Sequence, residues 1–455
     1  MQLRFRRRAA ATVTVLTALV TTVAGLTVAS PAQAANPPTP RNFSGYGFDQ
    51  CVTPSQRAMD AWLTSSPYWA VGIYIAGDSR YCGDDQQTNL TPAWVSTQLA
   101  NGWRLLPITV GPQASCSVRY RDQVRISPKP ADDYAAAREQ GRVEARSTVR
   151  RAKRLGIVPG STLWYDLEHT TTTDITRRCR ASALTFLSAW TRTLHRLGYD
   201  SGVYSSASSW IRILDDARVA EPTYAVPDRI WIAEWVDASR YRRPPTKTPP
   251  SLLSSYVRDD GWQPGGRMRQ YRGGHDERYG GVTINIDTNY LHLGRGTRPG
   301  KSPRFCSGTQ VDFPRYRRLV QGSRGPQVTA LQCLLRRKNL YDGRLSGVYN
   351  VRTARAVTRF QRTRGLRPGG KATRSTWTVV LAEGATPVLK IGSGGQAVRR
   401  LQRALNAAVH AELPVDGVFG PATTAAVRTY QRETGLAGNG VVAPSTWVNL
   451  GAGRM

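Results

Sequence analysis

The sequence is poor in acid and poorer in histidine. Only 31 Asp and Glu stand against 63 Lys and Arg, and five His are scattered over 455 residues. With no C-x-x-C pair and no His-rich cluster, the spacing that metal sites need is missing, and no metal or other cofactor is expected. No Ser or Cys has an evident His partner, which gives little ground for an amidase or peptidase acting on peptide stems. Beyond residue 34 no segment is apolar enough to cross a bilayer. Helix-turn-helix, zinc-finger and stacking-platform motifs are also missing, so nucleic acid is not the expected partner despite a net charge of +32.

What is present begins with an export signal. Arg4, Arg6, Arg7 and Arg8 precede an uncharged run from Ala9 to Ala29, and Ala32-Gln33-Ala34 has the small-x-small pattern of a cleavage site. Residues 1–34 therefore read as a secretory signal peptide, which implies an extracellular or cell-wall-associated protein with no stable membrane anchor. The 421 residues that follow exceed a usual single core, so two or three domains are expected.

Charge is unevenly shared. Residues 301–455 carry 25 basic and 6 acidic side chains, whereas residues 35–300 carry 34 and 25. A basic surface on an exported chain suits anionic wall polymers as partners. Arg outnumbers Lys 56 to 7, so part of the excess is compositional. The six cysteines (51, 82, 116, 179, 306 and 333) are an even set, as expected for disulfides in an oxidising compartment. Cys306 and Cys333 lie together in the last third and are expected to pair. The other four allow three connectivities, and a disulfide is the expected state of Cys51.

The last third repeats itself at a spacing of 70. "GSRGPQVTALQ" at 322–332 aligns with "GSGGQAVRRLQ" at 392–402, and "GVYNVRTARAVTRFQRTRGL" at 347–366 aligns with "GVFGPATTAAVRTYQRETGL" at 417–436. Thr376-Trp377 aligns with Thr446-Trp447. Val398, Leu401, Leu405 and Ala408 recur at helical spacing, and Asp416–Pro421 breaks the chain before a second apolar face at Ala426, Val427 and Tyr430. Each copy reads as a small helical bundle, over 319–383 and 389–450. The pattern G-x-x-V-x-x-L-Q … D-G-x-F-G-x-x-T-x-x-A-V-x-x-Y-Q resembles the three-helix peptidoglycan-binding domain. That resemblance implies wall-targeting modules with peptidoglycan or another cell-wall glycan as partner. Copy one departs from it at Ser346 and Asn350, where copy two has Asp416 and Gly420.

Residues 35–293 alternate strand-like and helical stretches. Strands are expected at Tyr46–Asp49, Val71–Ala76, Leu105–Val110, Thr162–Glu168, Ser201–Ser205, Arg229–Trp235, Met268–Tyr271 and Thr283–Asn289. Helices are expected around 55–64, 92–101, 132–155 and 180–197. Eight such units point to a (β/α)8 TIM barrel, so the fold class is α/β with two small all-α domains appended. The Gly/Pro/basic segment at the start of the 294–318 linker is expected to let the parts move independently.

In that frame the scarce acids fall at strand ends: Asp49 on strand one, Asp166 and Glu168 on strand four, Glu234 on strand six and Asp287 late in strand eight. The period of two sends Asp166 and Glu168 to one side, with Cα atoms roughly 6.6 Å apart. Neighbouring carboxyls in a pocket keep one acid protonated, which is what glycoside hydrolysis requires of its general acid. Tyr74, Trp164, Trp235 and Tyr271 suit stacking on sugar rings. The series "GFDQC", "LWYDLEH", "WIAEW", "RQY" and "IDTNYL" resembles the family 25 muramidases, and more closely an exported glycoside-hydrolase-like family of unknown function related to them, over residues 43–292. The resemblance implies Glu168 as general acid, Asp166, Asp49 and Asp287 around the cleaved bond, and Gln270 and Tyr271 lining the pocket. Glu234 stands where muramidases carry a neutral residue. The expected function is that of a secreted glycan hydrolase held on the wall, with a non-catalytic glycan-binding wall protein as the alternative.

Overall fold

The structure, a computed structural model, describes residues 35–118, 124–235, 249–301 and 303–455. The signal-peptide assignment over 1–34 lies outside the described residues. Eight strands close a barrel in sequence order: β1 (Phe43–Asp49), β2 (Tyr68–Ala76), β3 (Arg104–Thr109), β4 (Thr162–Asp166), β5 (Asp200–Ser206), β6 (Arg229–Ala233), β7 (Gly266–Tyr279) and β8 (Val282–Leu293). Around it lie α1 (Gln56–Ser65), α2 (Pro92–Ala100), α3 (Ala131–Arg154), α4 (Arg177–Arg196) and α5 (Arg212–Ala220). Side-chain oxygens set several helix starts: Ser55, Thr91 and Thr176 accept from the backbone N–H of Ala58, Trp94 and Cys179.

One strand departs from a parallel (β/α)8 barrel. Strands β1 to β7 pair in parallel, but β8 runs antiparallel to both β7 and β1. Gly280 and Gly281, both at positive φ, make the two-residue turn between β7 and β8, which leaves no room for a crossover helix. Both strands are consequently longer than the sequence suggested. Asp287 still reaches the same barrel end as Asp49, which it faces across the β1–β8 pair, although it comes from a reversed strand.

The strand period of two sorts the side chains into two layers. Tyr46, Phe48, Val71, Ile73, Ile75, Leu163, Tyr165 and Val203 pack outward in the large core under the helices. Trp164, Trp231, Ile108, Met268 and Leu291 fill the barrel interior. Trp164 and Trp231 meet edge to face, with ring centroids 5.6 Å apart. Gly202 is required beside them, because a β-carbon there would lie 2.3 Å from the Trp164 ring.

The repeats are two three-helix bundles: α6 (Pro326–Arg336), α7 (Val351–Thr363) and α8 (Arg374–Ala382), then α9 (Gln396–Ala408), α10 (Pro421–Glu433) and α11 (Pro444–Gly451). Their repeated motifs are joints. Gln332 accepts from Gly347 N and donates to Val348 O, and Gln402 does the same with Gly417 and Val418. Gln361 and Gln431 bridge in the same way to Gly370 and Lys371 and to Gly440 and Val441. Each buried amide thus satisfies backbone groups of a turn that no helix can reach. Where copy one departs, Asn350 caps α7 at Thr353 N, 3.0 Å away, and Asp416 of copy two accepts from Val418 N at 2.8 Å. Both variants serve the fold.

The expectation of independent parts is not met in this structure. Asn36–Met455 form one compact unit, and the second bundle shares a buried contact with the barrel. All six cysteines pair: Cys51–Cys82, Cys116–Cys179 and the expected Cys306–Cys333.

Candidate active site

At the barrel end where β1 to β7 terminate, a cavity of about 540 Å³ is bordered by Asp49, Asp166, Asp287 and Glu168, with Tyr74 and Arg80 on its wall. Alternation explains the gathering: Asp49 and Asp166 are the last residues of β1 and β4, and Tyr74 of β2 and Gln270 of β7 take inward positions at the same barrel end. Asp49 and Asp166 are almost fully buried, at 2% and 4% exposure. Glu168 lies two residues past β4 and is partly exposed.

Gln270 ties the acids together. Its Nε2 donates to Asp49 Oδ1 and Oδ2 at 3.4 Å and to Asp287 Oδ2 at 3.3 Å, while its Oε1 accepts from Tyr204 OH at 3.1 Å and Trp235 Nε1 at 3.0 Å. Asn289 Nδ2 donates to Asp49 Oδ1 at 2.6 Å, and the Tyr74 hydroxyl also bonds Asp49. Gln113 braces the D-x-E segment from behind. Its Nε2 donates to the Asp166 carbonyl and its Oε1 accepts from the Glu168 N–H, both at 2.9 Å.

Burial dominates the electrostatics. It holds Asp49 well above the ordinary carboxylate range, helped by the charge of Asp287 and opposed by the Asn289, Gln270 and Tyr74 hydrogen bonds. Asp166 is raised by burial first, then by Glu168 and Asp49. Its Oδ1 has no hydrogen-bond partner among the described residues. Burial also lifts Asp287 to about 6, against a hydrogen bond from the Gly274 N–H and the nearby His275. The three aspartates therefore hold their protons to higher pH than free carboxyls do, which suits a site that handles a proton at a leaving oxygen.

Not every expected site residue reaches this cavity. Trp164 is fully buried among the rings of the barrel interior, beneath the acids and away from the cavity wall. Tyr271 follows the inward Gln270 and so points outward, into the core under the helices. Glu234 turns outward as well and pairs with Arg269, Oε2 to Nη2 at 3.4 Å. Trp235 is 65% exposed, tethered to Gln270 at the rim. Asn289, Tyr204, Gln113 and Arg80 were missed. Asn289 was legible, because it sits two residues from Asp287 on the same face of "IDTNYL". Gln113 and Arg80 come from loops with no periodic signal. The Cys51–Cys82 disulfide pins two of the loops that border the mouth.

A barrel whose mouth gathers buried carboxylates, followed by two copies of one three-helix bundle, defines a glycoside-hydrolase-like domain joined to wall-binding modules. The match to known families is in agreement. The chain belongs to the family described as Rv2525c-like, glycoside hydrolase-like domain, which matches residues 60–291. Residues 324–380 and 394–450 each match the putative peptidoglycan binding domain. Among curated relatives, an uncharacterized protein from the bpoA1 3′ region of Kitasatospora aureofaciens is 39% identical over 90 residues, covering 19% of this chain and 76% of that protein. The zinc D-Ala-D-Ala carboxypeptidase of Streptomyces albus G is 42% identical over 74 residues, 16% of this chain and 26% of that enzyme. Among solved structures, the Tat-secreted protein Rv2525c of Mycobacterium tuberculosis, in complex with L-tartrate, aligns with 55% of this chain and 97% of its own, at 12% identity and a TM-score of 0.35.

Proposed function

We propose that the protein is a secreted, wall-associated glycoside hydrolase that cleaves a glycosidic bond in peptidoglycan or a related amino-sugar polymer. The observation that carries this reading is the convergence of Asp49, Asp166, Asp287 and Glu168 on one cavity at a barrel end, with burial raising the proton affinity of the three aspartates. Glu168 is the most accessible of the strand-four pair and acts as general acid toward the leaving oxygen. Asp166, with its unpartnered Oδ1 beside Glu168, positions a substrate acetamido group or meets the developing oxocarbenium charge. Asp49 and Asp287, held by Gln270 and Asn289, fix the geometry and the local potential. Tyr74 and Trp235 offer ring faces at the wall and the rim. The C-terminal repeat region holds the enzyme on peptidoglycan, and the basic last third favours anionic wall polymers. Among the described residues no helix is long and apolar enough to cross a membrane.

The test is to incubate the full chain with purified peptidoglycan and with chitin-type oligomers, and to count new reducing ends against Glu168→Gln. Release by the wild type and loss in the variant supports the reading. No release above the variant on either glycan, with binding to wall retained, replaces it with a non-catalytic glycan-binding protein.

A further inference from the structure

The 70-residue register allows the two repeats to be compared position by position, and they differ in what lies against them. In copy two, Lys390 is completely buried. Its Nζ donates to the Leu63 carbonyl at 2.9 Å, at the end of α1, and stands 4.5 Å and 4.9 Å from the ring centroids of Trp69 and Trp103. Two ring faces and a carbonyl hold the Lys390 amine in place, while burial pushes its pKa well below the ordinary lysine range. Trp69 also donates from Nε1 to Ser393 Oγ at 3.2 Å. These groups lie at the start of β2 and just before β3, on the barrel floor opposite the acid cavity. Copy one has Val320, which carries no charge, at the position of Lys390.

A second difference concerns the turn before the first helix of each bundle. In copy two the linker lies across it. Thr297 Oγ1 donates to the Gly392 carbonyl at 2.8 Å, and a β-carbon at Gly394 would come within 2.4 Å of the Arg298 carbonyl oxygen. One at Gly417 would lie 2.8 Å from the carbonyl of Pro299. In copy one the matching positions are open. Arg324, in place of Gly394, is exposed, and a β-carbon at Gly347 would meet only atoms of its own repeat. A cavity of about 470 Å³ remains there, bordered by Arg324, Thr329, Ser346, Thr309 and Gln310.

We infer that the repeats have divided their labour: copy two is a fixed brace, docked on the barrel floor through Lys390, and copy one takes the wall polymer on its open face. This rests on the wall-binding reading of the repeats. The copy-two face already holds a segment of the protein's own chain, residues 297–300, so this fold accepts a linear chain there. The open face offers hydroxyls, an amide and one guanidinium, which suit a hydroxyl-rich peptidoglycan strand bearing occasional carboxylates. Because the brace sits on the floor, the acid cavity at the other end stays uncovered.

The test uses the full chain, with two readouts: amide hydrogen exchange over residues 389–395 and co-sedimentation with purified peptidoglycan. Lys390→Glu sets a carboxylate against carbonyls, and Gly394→Arg imports the copy-one residue against the linker. Each should speed exchange about tenfold or more while sedimentation stays within about twofold. Arg324→Glu and Thr329→Arg, the latter placing the side chain that copy two carries as Arg399, should weaken sedimentation by about fivefold or more with exchange unchanged. Unchanged exchange in both brace variants overturns the brace. Sedimentation lost in the brace variants but kept in the copy-one variants overturns the assignment of the open face. A wild-type chain that does not sediment at all overturns the wall-binding reading and that assignment with it, while the exchange arm still judges the brace.

Discussion

Replacing Asp287 with asparagine should stabilise the barrel at neutral pH. Burial raises this carboxyl from 3.8 to about 6 in the folded protein. An unfolded chain ionises it near 3.8, so between pH 4 and 6 the unfolded state gives up its proton first. Stability therefore falls as pH rises through that window, and the full penalty is present above it. The shift of about two units, at 1.36 kcal/mol each, amounts to about 3 kcal/mol. Asparagine never ionises, and its amide oxygen keeps an acceptor for Gln270 Nε2, which now stands 3.3 Å from Oδ2, and for the Gly274 N–H. Asp49, which the Asp287 charge also perturbs, is relieved at the same time. Urea denaturation followed by tryptophan fluorescence should show a gain approaching about 3 kcal/mol at pH 7.5 that shrinks toward zero as the pH nears 4. No gain at pH 7.5, or an equal gain at both ends, would refute the claim that the cluster carries buried, strained charge. Glycan cleavage by the same variant should fall, because stability and proton chemistry draw on the same carboxyl.

Other outcomes follow from particular contacts. Gln270→Leu deprives Asp49 and Asp287 of a donor and Tyr204 and Trp235 of an acceptor; a loss of roughly 1–3 kcal/mol is expected, together with a lower kcat. Trp164→Phe should cost stability, by roughly 1–3 kcal/mol, and leave KM unchanged, since the ring fills the barrel interior; a raised KM with intact stability would place it against substrate. Converting both Cys51 and Cys82 to Ser opens a 31-residue separation, and loop entropy puts the loss at about 3–4 kcal/mol, read as a lower thermal midpoint under non-reducing conditions.

Much of this architecture was legible because its signals are local. The duplication at offset 70 exposed the repeats, and the Gln positions shared by the two copies are the joints of each bundle. Strand positions followed from apolar runs, and the acids stood out because they interrupted those runs. What failed was orientation. The resemblance implies both Gln270 and Tyr271 at the pocket, yet adjacent strand residues face opposite sides, so only one can turn toward the acids. The same alternation, applied to "WIAEW", would have sent Glu234 outward and kept Trp235 at the mouth. The reversal of β8 is a tertiary outcome: the Gly280-Gly281 pair marks a hairpin turn, but the expectation of a repeating barrel unit outweighed it. The docking of copy two was not readable either, since a single lysine among valine-like positions acquires meaning only beside Trp69 and Trp103.

The central claim is that the acid cavity breaks a sugar–sugar bond in the wall. It is tested most directly by borohydride reduction and mass analysis of peptidoglycan after exposure to the full chain. The account predicts amino-sugar alcohol termini that accumulate with the wild type and fail to form with Glu168→Gln, although that variant still sediments with wall. Glycan strands left at their original length by wild type and variant alike would contradict it.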